Sequence, residues 1–364
     1  MKERLCRDLM DLMLLPGLSG HEDRVRRAVT ARLDAEGIAT RSDRLGNLEA
    51  YFPGTGPLVM IFAHMDQLGF VVRRIGDDGL LWLERLGGVP ERALPAQDVL
   101  ICVGEGRDVP GVIGHKSHHA TPPAEKYRVL PYAELYVDTG LTSAAAAEAA
   151  GIRIGTPVIY RPVATRMGHD RVCGTSVDDR AGCAVLIELA RSLSRRTDGP
   201  PVHLVFSVQE EFNLRGVLPM ARGIAPDIAI QLDLMLTSDT PDMADRGDMK
   251  LGGGAGMSLY SFHGRGTLNG VIPHPALVRL MEETAHQHGM PLQRSAQTGI
   301  LTDLSYVQLE GEGVACIDMG YPMRASHSAR EICDLSDLVA LTEMLDRAIA
   351  RIGPDFSLNR DDCT

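Results

Sequence analysis

Four nearly unbroken apolar runs recur along the chain: PLVMIFA (57–63), VHLVFSV (202–208), IAIQL (228–232) and VACIDM (314–319). A strand wetted on one face alternates apolar and polar residues, whereas one covered on both faces does not. Runs of this length therefore demand a sheet with cover above and below. Amphipathic stretches supply that cover: AGCAVLIELARSLSRR (181–196), HPALVRLMEETAHQHG (274–289) and LSDLVALTEMLDRAIARIG (335–353). The pattern predicts an α/β fold with helices on both faces of the sheet. At the N-terminus, MKERLCRDLMDLMLLPG reads as a helix ended near Pro16-Gly17. A second helix follows over VRRAVTARLDAEG, with Ser19 as cap and Gly37 as stop.

Residues 69–163 have another texture. Short strand-like pieces (FVVRRI, LLWLERL, DVLICVG, GVIG, AELYVD, PVIYRP) are broken by Gly and Pro, with one short helix at SAAAAEAAG. This predicts a small β-barrel-like domain inserted into a larger unit made of residues 1–68 and 164–364.

Composition narrows the function classes. The 364 residues carry 37 Lys and Arg against 48 Asp and Glu, a formal charge of −11, and aromatics are only 4 % with the single Trp82. An acidic surface repels phosphate backbones and anionic membranes, so no nucleic-acid or membrane partner is expected. The seven cysteines are scattered and form no C-x-x-C, as in a reducing cytoplasm. With no signal-peptide pattern and no apolar run of membrane-spanning length, the expected location is cytoplasmic.

The strand ends carry the chemistry. PLVMIFA runs into His64-Met65-Asp66, VHLVFSVQ into Glu210-Glu211 and IAIQL into Asp233; VACIDM is followed by GYPMRAS and His327. Asp178 opens the turn DDRAG just before a helix. Ligands of open α/β sheets bind beyond the carboxyl ends of the strands. Two imidazoles and several carboxylates converging there have the composition of a metal site. For His64 and Asp66 the blander alternative is a satisfied His–Asp pair in the core. For Asp178-Asp179-Arg180 it is a helix cap with its ion pair, and for Glu210-Glu211 a solvated strand exit. A second H-x-D, His21-Glu22-Asp23, reads as acids favouring a helix start. A glycosidase would need two carboxyl groups flanking a sugar bond and no metal, and the two histidines among the acids argue against it.

The motifs HMDQLGF, SVDDRAG, VQEEFNLRG, the Asp ending IAIQLD, KLGGGAGM and RASHSARE stand in the order and spacing of metallopeptidase family 42, which the chain resembles over essentially its whole length. These are the glutamyl and tetrahedral-shell aminopeptidases, some of which have carried an endoglucanase name. The resemblance implies a co-catalytic zinc peptidase fold with a mixed, mostly parallel sheet. It also implies two divalent metals per subunit, zinc by preference, although the same ligands serve cobalt or manganese. Asp178 would bridge them, His64 and Asp233 completing one site and Glu211 and His327 the other. Asp66 would orient His64, and Glu210 would be the general base. The implied activity is hydrolysis of N-terminal residues from peptides with a free N-terminus, with a deacylase or carboxypeptidase as the alternative. Dimers assembling into a dodecamer are implied as well. Gln67 stands where the family commonly has an acid, and Asn213 where it has Gly. His115, His118 and His119, in VIGHKSHHATP, are either a surface cluster or part of a loop reaching an active site.

Overall fold

The computed structural model describes residues 1–264 and 270–363. Its central sheet has twelve strands among the described residues. The four middle strands are Val202–Ser207, Val59–His64, Ile228–Leu236 and Ala315–Arg324, side by side and parallel. They are the four apolar runs. Antiparallel strands extend the sheet, with Leu48–Phe52 on one flank and Glu331–Asp334 then Arg171–Gly174 on the other.

Alternate residues of one strand show why the runs are unbroken. Val59, Ile61 and Ala63 pack into a core with helices Lys2–Met13, Asp23–Ala35, Val177–Leu193, Pro275–His288 and Leu335–Ile349. Met60 and Phe62 face the opposite way, against helices Leu218–Ile224 and Leu304–Val307. Each fully buried Val, Ile or Phe contributes roughly 1.5–3 kcal/mol relative to exposure, so both faces of Val59–His64 stay apolar until His64.

The β-rich stretch closes into a six-stranded barrel, in the order Gly69–Ile75, Leu81–Leu86, Tyr136–Asp138, Val109–Gly114, Asp98–Ile101, Pro157–Tyr160. Closure leaves no free strand edge, and the interior is filled by its own apolar cluster, including Phe70, Val72, Leu83, Val99, Ile101 and Val158. Gly69 lies so near the Val158 carbonyl that a Cβ would sit 2.6 Å from that oxygen. The bidentate pair of Arg24 with Asp108 ties the barrel to helix Asp23–Ala35.

The expected short helix is Ala144–Ala149, with Ser143 Oγ accepting from Ala146 N at 3.1 Å. The expected Ser19 cap is not observed. Helix Asp23–Ala35 begins four residues later, and the Ser19 hydroxyl donates to the Asp66 carboxylate instead. Six cysteines are free; the side chain of the seventh, Cys363, lies outside the described residues. No described helix is long and apolar enough to cross a membrane.

Candidate metal centre

The carboxyl edge of the four parallel strands gathers the donors. His64 is the last residue of its strand, and Asp233 lies within Ile228–Leu236. Glu210 and Glu211 follow the strand ending at Ser207, and His327 follows the one ending at Arg324. Asp178 sits at the non-helical start of Val177–Leu193 (φ −76°, ψ 109°), where its side chain is not committed to the helix surface. Two donor groups result, His64–Asp178–Asp233 and Asp178–Glu211–His327, each with its atoms within 4.8 Å of one another. Asp178 belongs to both: Oδ1 is 3.1 Å from His64 Nε2 and Oδ2 is 3.4 Å from His327 Nε2.

The far nitrogen of each imidazole is occupied. His64 Nδ1 lies 3.2 Å from the Asp66 carbonyl oxygen and 3.4 Å from its Oδ1. His327 Nδ1 lies 2.9 Å from the carbonyl of Gly88, contributed by the barrel. A ring that donates from Nδ1 presents a lone pair at Nε2, the arrangement a metal ligand needs. Asp66 does more than face His64. Its carboxylate also accepts from Glu210 N and Glu211 N, both at 3.0 Å, and from Ser19.

The twin glutamates reach opposite ends of the cluster because the chain has left the strand at Ser207. Glu210 Oε2 is 4.0 Å from His64 Nε2, and Glu211 Oε1 is 3.9 Å from His327 Nε2. Left-handed backbone at Gln209 (φ 57°), Asn213 (φ 67°) and Leu214 (φ 55°) makes that turn. Asn tolerates this region better than most residues, which accounts for Asn213 in a position that favours Gly.

Electrostatics report a shortage of positive charge. Burial, then neighbouring carboxylates, push Asp233 well above the usual carboxylate range and Glu211 to about 7. Burial likewise pushes Glu210 well up against the opposing pull of His64, and Asp233 and Glu211 add to the rise. Burial opposes charge on His64, yet Asp178 and Asp66 outweigh it and hold the imidazole well above its ordinary value. The same balance, with Glu211 and Asp178, raises His327. Asp178 is the exception: burial opposes its charge, yet His327 and His64 hold it below the usual carboxylate range. Buried acids crowded in this way are a group that divalent cations would neutralise. The N and O donor set suits zinc, cobalt or manganese.

Several residues that hold the cluster were not singled out from the sequence. Glu331, buried, accepts from His327 N (2.7 Å) and Asp178 N (3.1 Å), clasping the segments of both groups. Tyr321 Oη donates to Asp179 Oδ1 (2.9 Å), whose Oδ2 accepts from His64 N (3.1 Å). Gln231 Nε2 donates to Asp233 Oδ2 at 3.3 Å. Glu22 corrects an expectation. Its side chain makes no cap bond to the helix it precedes; Oε1 accepts instead from Gly20 N (2.7 Å) and from Gln209 N (3.1 Å), beside the twin glutamates. Its burial, in a loop polar by composition, becomes apparent only in three dimensions.

Arg180 is fully buried and donates to the Met65 carbonyl and to Gln67 Oε1. Gln67 thereby has a defined task, since the same oxygen also accepts from Gly17 N. His115, His118 and His119 are exposed on the barrel and enter neither donor group. In LGGGAGM the backbone approaches the sheet closely: a Cβ on Gly256 would meet Met235 Sδ at 2.4 Å.

Comparison with known proteins gives a consistent result. A family model described as M42 glutamyl aminopeptidase matches residues 46–344. SgcX of Escherichia coli (strain K12) is 36 % identical over 360 residues, 98 % of this chain and 96 % of that one. Among solved structures, aminopeptidase APDkam598 from the archaeon Desulfurococcus kamchatkensis has a TM-score of 0.89 at 31 % identity, covering 98 % of this chain and 97 % of that one. The TET1 peptidase of Pyrococcus horikoshii, described as assembling into a tetrahedron or a large octahedral shell, has a TM-score of 0.85 at 25 % identity, covering 95 % and 99 %.

Proposed function

The chain belongs to the M42 glutamyl aminopeptidase family, and we propose that it is a two-metal aminopeptidase that removes N-terminal residues from peptides. The observation that carries this reading is Asp178, shared by two donor groups with Glu210 alongside. His64, Asp178 and Asp233 would hold one divalent cation; Asp178, Glu211 and His327 would hold the other. Bound there, the cations would supply Lewis acidity, polarising the scissile carbonyl and acidifying the attacking water.

The chain's own residues do the rest. Glu210, whose Oε2 lies 4.0 Å from His64 Nε2 and which belongs to neither donor group, takes a proton from the attacking water and passes it to the departing amine. Asp66 fixes the backbone of both glutamates, so that Glu210 is held on the side of His64 and Glu211 on the side of His327. Five carboxylates (Asp66, Asp178, Glu210, Glu211 and Asp233) meet the four positive charges of two dications. The residual negative charge favours a substrate ammonium group, which an aminopeptidase recognises and an N-blocked substrate lacks.

The test is hydrolysis of a mixed library of free and N-acetylated peptides, followed by mass spectrometry, before and after metal removal. Stepwise trimming of the free-amine members alone, abolished by chelator and restored by zinc, cobalt or manganese, is expected. Cleavage of acetylated members would make the protein a deacylase, and removal of C-terminal residues a carboxypeptidase. Closed homo-oligomers, up to a dodecameric shell, are part of the proposal, supported by the likeness to a shell-forming peptidase and read directly by native mass spectrometry.

A further inference from the structure

Beside the carboxylates of Asp178 and Glu211 lies a small cavity of about 10 Å³, also lined by Gln67, Tyr160, Ser176 and Glu331. It adjoins the space that Asp178, Glu211 and His327 enclose together, sharing the first two residues but not His327. Tyr160 is the last residue of barrel strand Pro157–Tyr160 and only 2 % exposed. Its ring is held edge-on to Phe70 (centroids 6.4 Å, 87°), while its hydroxyl is buried without a hydrogen-bond partner. A buried hydroxyl facing a polar space of this size calls for a bound water, because a cavity of ~10–15 Å³ accommodates one.

We propose that this cavity holds one ordered water, and that Tyr160 is a positioning residue acting through it on Glu211. The hydrogen-bond inventory fits. Tyr160 Oη donates to the water, whose own two protons go to the carboxylates of Glu211 and Glu331. Glu331 accepts one backbone N–H on each oxygen, from His327 and from Asp178, and keeps a lone pair free on each. Ser176 or the amide N–H of Gln67 fills the remaining lone pair of the water. The barrel thus reaches the catalytic cluster twice: directly through the Gly88 carbonyl on His327, and through this water on Glu211.

The role of Tyr160 rests on Glu211 being a metal ligand; the water does not. Tyr160→Phe removes the hydroxyl and keeps the ring packing, so the fold is retained. Crystals of the metal-free full-length protein and of the variant should show a water within hydrogen-bond distance of Tyr160 Oη, and its loss with a turned Glu211 side chain in Y160F. Competition with a chelator should find one of two cation affinities weakened roughly tenfold or more in Y160F, with the other unchanged. An empty cavity, a metal ion in it, or a variant that keeps the Glu211 rotamer and both affinities would overturn the proposal. Failure of the wild type to bind a second cation would overturn the ligand reading and the role of Tyr160 with it, while the density still decides the water.

Discussion

At the scale of single residues, the adjacent glutamates are the sharpest test, because neighbours in sequence are given different work. Glu210→Gln is expected to keep both cations, measured by elemental analysis, while kcat falls by roughly two or more orders of magnitude. Glu211→Gln is expected to lose one cation. The reverse pattern would exchange their roles. A second residue-level prediction concerns Asp337, which accepts from Gly252 N (2.8 Å) and Gly254 N (2.7 Å). Burial nevertheless pushes its carboxyl up to about 7. An unfolded chain gives up this proton near pH ~4, so between there and about 7 the folded state binds more protons and stability falls as pH rises. Relative to Asp337→Asn, the wild type should lose stability, on the order of a few kcal/mol, from pH 4 to pH 7 and no more above it. Denaturant midpoints of both proteins across that range will show it. The proposed ligands were legible in the sequence because His64, Glu211, Asp233 and His327 follow apolar runs and Asp178 opens the turn before a helix. Glu22, Glu331 and Gln231 were not, since nothing local distinguishes a buried acid or amide from an exposed one.

At the scale of elements, the loop from Gly17 to Glu22 is a clamp rather than a helix lead-in. It pairs with the end of the His64 strand through Ser19 N to the Gln67 carbonyl (3.3 Å) and Gln67 N to the Gly17 carbonyl (2.9 Å). Glu22 then bridges to Gln209. Because both backbone donors use the same oxygen of Glu22, Glu22→Gln should be tolerated. Glu22→Ala leaves the Gln209 N–H without its acceptor, a cost of about 1–3 kcal/mol where water cannot replace it, and lets the glutamate turn relax. The expected result is a fall in kcat of tenfold or more for E22A, with both cations still bound and E22Q near wild type. Equal damage in both variants would mean that the charge of Glu22, not its acceptor oxygen, is what matters. The helices and buried strands were readable from periodicity. The true start of helix Asp23–Ala35 was not, because Ser19 is a sound cap by composition and was drawn away by a carboxylate distant in sequence.

At the scale of the whole molecule, the barrel is not a mere appendage. Gly88, just after barrel strand Leu81–Leu86, supplies the carbonyl that orients His327, and a Cβ there would meet His327 Nδ1 at 2.8 Å. Gly88→Ala is therefore expected to cut activity and weaken binding of the His327 cation while leaving the thermal midpoint nearly unchanged. A large drop in the midpoint with intact metal binding would assign Gly88 to barrel stability alone. An inserted β-rich block could be recognised from its broken strands and its Gly and Pro content, but its contact with the catalytic edge could not.

The sequence alone determined the doubly covered sheet, the barrel-like insert and the candidate donors near the strand ends, because hydrophobic periodicity and strand termini are local properties of the chain. Only the tertiary structure decided which donors share a space, since that depends on strand order, with Val59–His64 lying between Val202–Ser207 and Ile228–Leu236. It also decided what lies behind the ligands. Glu22, Glu331, Gly88 and Tyr160 come from four distant parts of the chain, and packing alone brings them to one place.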